Sequence, residues 1–272
     1  MSFRQTLPLH KKSSAAWLAR QSRDPFVKAR LSSPSSYRSR SAFKLVELDE
    51  KWGRFLSRPS VRSVVDLGAA PGGWSQVVAE RLGWTLDTED DADNFGLREE
   101  AKVQKRGSWS VEPAHKIAGR GRIVALDLLP IAPIPGVQTL QMDFLAQGSA
   151  CVVRDALKSP RNPEGTADVV LSDMAANFSG NKIRDTQMSL DICHAAFDFA
   201  KGALTVRKVD ERGKASGGGI LLLKHFSHPL LQEFRKEYLE PNFHLVHYIK
   251  PESSRSDSAE GYWLCRGWLG RT

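Results

Sequence analysis

Apolar positions in this chain follow two periods, and the switches between them outline the elements. From residue 37 the stretch YRSRSAFKLVELDEKWGRFL places Leu45, Leu48, Trp52, Phe55 and Leu56 at helical spacing behind Ser41 as a cap. This predicts a helix over 41–57 with Lys44 in its first turn. Ser63–Leu67 (SVVDL) is a short apolar run that ends in the turn GAAPGG, and 73–82 then reads as a helix. Residues 84–119 interrupt the pattern: Asp87, Glu89, Asp90, Asp91 and Asp93 crowd there without apolar periodicity, so an exposed, mobile insertion is expected. Strands follow at Arg122–Asp127, at Val137–Gln141 before Asp143, and at Asp168–Ser172 before Asp173, with a helix over 149–157 and a loop over 158–166. A helix over 185–204, a loop over 206–218, a strand at Gly219–Lys224 and a helix over 228–240 complete the alternation. The last two strands, 243–249 and 261–268, are close enough to form an antiparallel pair. Strands alternating with helices predict an α/β fold around a mostly parallel sheet. No apolar run approaches the eighteen or so residues of a spanning helix, so no membrane span is expected.

Charge changes the picture once it is located. Of the net +8, residues 1–62 hold 14 Lys and Arg against 4 Asp and Glu, and the other 210 residues hold 25 against 27. A concentrated positive field attracts polyanions, nucleic acid above all, although a solvated arm would carry the same charge. Arg20, Lys28, Arg30, Arg38, Arg40 and Arg255 are the candidates for phosphate contacts. Residues 1–35 form a basic N-terminal arm, and residues 1–23 lack acids while carrying Arg4, Lys11, Lys12, Arg20 and Arg23 among several serines. Without the apolar core of a secretory signal, that segment reads as a transit sequence to the mitochondrial matrix, the alternatives being a nuclear or cytoplasmic protein.

A length of 272 residues supports a full core without staples. The cysteines Cys151, Cys193 and Cys265 are isolated, and no CxxC or Cys/His cluster appears. A disulfide framework and a zinc site are therefore not expected, and a reducing compartment fits best. His225 and His228 are read as helix-start histidines rather than metal ligands.

In open α/β sheets ligands sit outside the carboxyl ends of the strands, and here those ends carry a Gly-rich turn, Asp127, Asp173 and Lys224. A single acid there often only caps the next helix; the set points to a site. The turn DLGAAPGGW (66–74) is not the dinucleotide fingerprint, because Ala70 replaces the second Gly, and it is not a P-loop, because Trp74 stands where Lys would follow. A Gly-rich turn without phosphate machinery suits a ligand with an adenosine and no pyrophosphate, with S-adenosylmethionine (AdoMet) leading and Asp127 placed to take its ribose hydroxyls. Trp74 reads equally well as a core aromatic. The competing enzyme class, a nicotinamide-dependent oxidoreductase, is disfavoured by the missing fingerprint.

The stretches SYRSRSAFKL (36–45), VVDLGAAPGGWSQV (64–77), GRIVALDLLPI (121–131), DF (143–144), VVLSDMAANFSG (169–180), GGILLLKHF (218–226), KPESSR and EGYWL (250–264) run in order along nearly the whole chain. Together they resemble the FtsJ/RrmJ family of ribosomal RNA ribose 2′-O-methyltransferases, and WLARQSRDPFVKARL (17–31) further resembles its mitochondrial branch, which modifies a uridine of large-subunit rRNA. The resemblance implies a class I (Rossmann-like) methyltransferase domain over 36–272, with a seven-stranded, mostly parallel sheet, one antiparallel strand and helices on both faces. It implies a catalytic tetrad of Lys44, Asp173, Lys224 and Glu260, cofactor contacts at Gly72, Trp74, Asp127, Asp143 and Asp173, and no metal. It implies the large ribosomal subunit precursor as partner; oligomeric state stays open. His225 and Cys265 stand where mostly apolar residues are expected.

The chemistry can be argued separately. A ribose 2′-OH is a poor nucleophile until its proton leaves, so the enzyme needs in-line positioning and a base. A lysine serves as base only when burial or nearby positive charge lowers its pKa, and Lys224 at a strand end with Lys44 nearby meets that need. Asp173 and Glu260 would orient the amines while opposing the shift. The alternative function is an rRNA-binding assembly factor whose methylation is secondary.

Overall fold

The computed structural model describes residues 25–27, 36–84, 119–175, 179–208, 217–255 and 258–271. Its elements are α1 (Ala42–Lys51), β1 (Ser63–Leu67), α2 (Gly73–Arg81), β2 (Arg122–Asp127), β3 (Val137–Gln141), α3 (Ser149–Leu157), β4 (Val169–Ser172), α4 (Lys182–Ala203), β5 (Ile220–Phe226), α5 (Pro229–Phe234), β6 (Phe243–Ile249) and β7 (Glu260–Trp268). A π-helical turn over Arg235–Leu239 continues α5.

The strands form one sheet in the order β3-β2-β1-β4-β5-β7-β6. β1 pairs in parallel with β2 and β4, β2 with β3, and β4 with β5, whereas β7 runs antiparallel to both β5 and β6. One strand therefore opposes six, as expected. The strand order reverses between β1 and β4, which opens a crevice at their carboxyl ends.

Period-2 alternation divides the sheet residues between two cores. Val64, Ile123, Leu171, Leu222 and Leu264 face α1 and α2, where Leu45, Leu48, Val77 and Val78 cover them. Val65, Val124, Val170, Leu221 and Trp263 face α3, α4 and α5, covered by Val153, Leu157, Phe197 and Leu231. β1 and β4 are buried along their whole length, which explains why they read as unbroken apolar runs.

Several element bounds differ from the sequence reading, two of them with a clear cause in side-chain contacts. The first helix stops at Lys51 rather than 57. The cause is Asp49: its buried carboxylate accepts the Leu56 N–H at 2.8 Å and pairs with Arg81 Nε at 3.2 Å, so the chain folds back around it and inserts Phe55 and Leu56 into the core. α4 begins at Lys182, three residues early, because the Asn181 side chain accepts the N–H groups of Ile183 and Arg184. His228 starts α5 as expected, its Nδ1 accepting the Leu230 N–H, but His225 lies within β5, buried and stacked on Trp263 at 3.7 Å.

The arm over 1–35 falls outside the described residues except for 25–27, where Phe26 packs on Phe43 with ring centroids 5.7 Å apart. Of the insertion over 84–119, residues 85–118 fall outside them. Its two ends are joined: Arg120 N–H donates to Leu82 O at 2.9 Å, and Trp84 lies across Gly119 and Gly136. Gly136 has φ +72° and a Cβ there would meet the Trp84 ring at 2.2 Å, so the position requires glycine.

Candidate active site

Four elements bring the predicted tetrad together. Lys44 lies in the first turn of α1, Asp173 directly follows β4, Lys224 lies in β5, and Glu260 opens β7. The start of α1 is held in place by Trp74, whose indole N–H donates to Ser41 O at 2.9 Å from within the core. Lys224 and Tyr262 are register partners across the antiparallel β5–β7 pair. Glu260 stands two residues from Tyr262 and hence on the same face.

Lys44 Nζ is 2.7 Å from Glu260 Oε1. Lys224 Nζ lies 3.1 Å from Asp173 Oδ1 and 3.7 Å from Glu260 Oε2, and also donates to the Asp173 carbonyl at 3.4 Å. Two cations and two carboxylates thus alternate, and Glu260 serves both lysines. Sequence reasoning did not single out Tyr262, whose hydroxyl donates to Asp173 Oδ1 at 2.7 Å and whose side chain is wholly buried beside Trp74. The signal was present in EGYWL, since period 2 puts Tyr262 on the face of Glu260.

Burial decides the electrostatics of Lys44. Removal from water lowers its pKa, and the Lys224 charge adds to this, outweighing the opposing carboxylates of Asp173 and Glu260. For Glu260 burial would raise the pKa, but the adjoining Lys44 and Lys224 charges and the hydrogen bond from Lys44 hold it below the usual carboxylate range. Tyr262 is pushed well above its ordinary value, first by burial and then by the two carboxylates, so it remains a donor.

Beside the tetrad lies the Gly-rich turn. Gly72 has φ +107°, a conformation that side chains rarely adopt, and a Cβ there would press on the tips of Ile134 and Arg38. Arg38 is spent on this turn and the β2–β3 loop: its guanidinium donates to Ala132 O and Pro133 O, each at 2.6 Å, and to Pro71 O at 3.4 Å. Arg40 likewise donates to Ser253 O at 2.8 Å. Both candidate phosphate contacts thus bond protein carbonyls, while Arg20, Lys28 and Arg30 lie outside the described residues. Asp66 at the end of β1 is another residue not foreseen. Its Oδ2 accepts the Ser75 hydroxyl at 2.6 Å, tying β1 to α2, and complete burial pushes its carboxyl up to about 7.

The residues present fit a bound AdoMet. Asp127 ends β2 and accepts one backbone N–H on each oxygen, from Ala70 and from Leu129, both at 2.8 Å. Each oxygen keeps a lone pair for a ribose hydroxyl. Asp143 is exposed, and its carboxylate accepts the Leu145 N–H at 2.9 Å. Leu128, Leu129 and Leu145, beside these two acids, are each more than 60% exposed, an apolar surface of the kind an adenine covers. The Trp74 indole is 3% exposed and faces α1, where it donates to Ser41 O. What Trp74 and Gly73 offer instead is the pair of backbone N–H groups at the start of α2, which have no partner within the helix and favour a carboxylate. Among the described residues no cluster of three or more His, Cys, Asp or Glu could hold a metal ion.

A doubly wound seven-stranded sheet with β7 reversed, and a Gly-rich turn without phosphate-binding side chains at its switch point, define a class I methyltransferase. The model of the FtsJ-like methyltransferase family matches residues 37–268, and the chain belongs to that family. Its cofactor is AdoMet. The chain is 38% identical to ribosomal RNA large subunit methyltransferase E of Parvibaculum lavamentivorans over 260 residues, which cover 96% of this chain and 84% of that protein. It is 37% identical to the protein of the same name from Novosphingobium aromaticivorans, covering 95% and 90%. A crystal structure of a ribosomal RNA methyltransferase from Plasmodium falciparum superposes with a TM-score of 0.60 at 25% identity, over 86% of this chain and all of that one.

Proposed function

We propose that this protein methylates a ribose 2′-hydroxyl of large-subunit ribosomal RNA, a uridine, on the subunit precursor in the mitochondrial matrix. The observation that carries the chemical part is the position of Lys224 Nζ, within 3.1 Å of Asp173 and 3.7 Å of Glu260 with Lys44 on the other side of Glu260. AdoMet supplies a methyl group already activated on a sulfonium, so the protein has only to align a hydroxyl in line and accept its proton. With AdoMet held at Asp127, Asp143 and the start of α2, the cofactor would supply the methyl group and Lys224 would take the 2′-OH proton. Asp173, fixed by the Tyr262 hydroxyl, and Glu260, fixed by Lys44, hold the accepting amine in place. The RNA part is supported by relatives named for large-subunit ribosomal RNA, and the mitochondrial part by the acid-free, basic segment 1–23.

The test is to map ribose methylation in organelle and cytoplasmic rRNA from cells lacking the protein. Loss of one uridine 2′-O-methyl group from mitochondrial large-subunit rRNA is the expected result. Loss from cytoplasmic rRNA would overturn the compartment, and an unchanged map in both would overturn the substrate. Complementation with Lys224→Ala separates catalysis from an assembly role, since restored ribosome assembly without methylation would assign the function to RNA binding.

A further inference from the structure

At the opposite rim of the sheet, around the amino ends of β1, β2 and β4, lies a cleft of about 470 Å³. Its charged lining is Arg62, Arg122, Arg161 and Asp168, a net of +2 from three arginines and one acid. The acid is already committed, because Asp168 Oδ2 accepts the N–H groups of Arg62 at 2.8 Å and Ser63 at 3.0 Å. Among the described residues the guanidinium groups of Arg62 and Arg161 have no hydrogen-bond partner, and that of Arg122 uses one nitrogen, donating to Ala156 O at 3.1 Å. The wall between them is rigid: Asn162 bonds Ser63 Oγ, Thr166 O and Thr166 N–H at 2.8–3.0 Å, which pins the 158–166 loop to the start of β1. Three planar, permanently charged donors thus line one concavity, and the protein meets them only with the Ala156 carbonyl at Arg122 and the nearby Asp168 charge at Arg62. Surface arginines scattered for solubility do not share a built wall of this kind.

We infer that this cleft binds phosphate groups of the RNA substrate at a segment other than the one being methylated. The geometry of guanidinium groups matches phosphate oxygens, and backbone contacts of this type position an RNA without reading its sequence. β1 is five residues long, about 15 Å at the usual strand rise, so the cleft lies at least that far from the tetrad. The nucleotide in the active site cannot reach it, and the contact must come from another part of a folded RNA. The inference rests on the reading of the substrate as ribosomal RNA and adds a second docking point to it.

The test uses the full chain with Arg62, Arg122 and Arg161 all changed to Gln, and a second variant with all three changed to Lys. Binding to a large-subunit rRNA domain is followed by fluorescence anisotropy from 50 to 300 mM salt, alongside titrations with AdoMet, with inorganic phosphate and with AMP. Removing three phosphate contacts should weaken RNA binding roughly tenfold or more and flatten the slope of log K against log salt by about 2–3. The Lys variant should recover most of the slope, and AdoMet affinity and methylation of a short RNA hairpin should stay at wild-type levels. A folded Gln variant with the wild-type salt slope would overturn the inference while leaving the proposed function intact. Saturable binding of inorganic phosphate or AMP, lost in the Gln variant without change in the RNA slope, would overturn it in favour of a small-anion site. A wild-type protein that neither binds nor methylates rRNA would remove both readings.

Discussion

Lys44 Nζ approaches Glu260 Oε1 to 2.7 Å in a place where both side chains are almost wholly withdrawn from water. The pair is therefore an opposition: burial lowers the pKa of the lysine, and the carboxylate holds its proton on. Glu260 also reaches Lys224 with its other oxygen at 3.7 Å, so the same residue contacts both lysines.

Glu260→Gln should remove one of the two carboxylates that oppose the shift, and the Lys44 pKa should fall further. Between the folded and unfolded pKa values of a depressed lysine, the unfolded chain holds more protons, so stability rises with pH. The variant widens that window downward. Its stability deficit against wild type, measured by urea unfolding, should therefore shrink between pH 7 and pH 10. A deficit that stays constant would mean that Glu260 does not govern the Lys44 proton.

Lys224→Ala should abolish methyl transfer in single-turnover assays with most of the AdoMet affinity retained, since the cofactor residues other than Asp173 lie on β2, at the start of α2 and in the loop after β3. Loss of a general base costs about 10²–10⁴-fold. Lys44→Ala should impair turnover by less, because Lys44 touches Glu260 and not Asp173. A dead Lys44→Ala beside an active Lys224→Ala would exchange the two roles.

Asp127→Ala should weaken AdoMet binding by roughly 1–3 kcal/mol, the range for hydrogen bonds to a charged group. The carboxylate also holds the Ala70 and Leu129 N–H groups, so the Gly-rich turn loosens with it. Calorimetric titration of the folded variant decides this, and unchanged affinity would remove Asp127 from the site.

Asp66 provides a second pH test. Its folded pKa of about 7 exceeds the ordinary 3.8, so the native state holds the extra proton and loses stability as pH rises through that interval. Asp66→Asn keeps an oxygen for the Ser75 hydroxyl and cannot ionise. Its thermal midpoint relative to wild type should improve from pH 5 to pH 8. A difference independent of pH would show that the carboxyl ionises without cost.

Replacing 87–112 by a short Gly/Ser linker should leave the thermal midpoint nearly unchanged, because Leu82, Trp84, Gly119 and Arg120 already bring the flanking ends together. Gly136→Ala, by contrast, should destabilise by about 1–3 kcal/mol through overpacking against Trp84 and its positive φ. A large loss on linker replacement would mean that the segment packs on the core.

The local code of this protein was legible in its sequence. Strand periodicity located all seven strands, because a half-buried or fully buried strand must show its pattern within four to nine residues. The Gly-rich turn and the strand-end acids pointed to the ligand edge for the same local reason. Tertiary structure decided what depends on convergence. The early end of α1 comes from Asp49 capturing Leu56 and Arg81, the latter 32 residues further on. Trp74 resolved to the core because Ser41 offers its carbonyl across two helices. Arg38 and Arg40, which by composition belonged to RNA, bond carbonyls 94 and 213 residues away. Tyr262 acquires its role from Asp173, 89 residues distant. A hydrogen bond or ion pair between remote segments leaves no period in the chain, since it is set by which strands become neighbours, and that order exists only once the sheet has assembled.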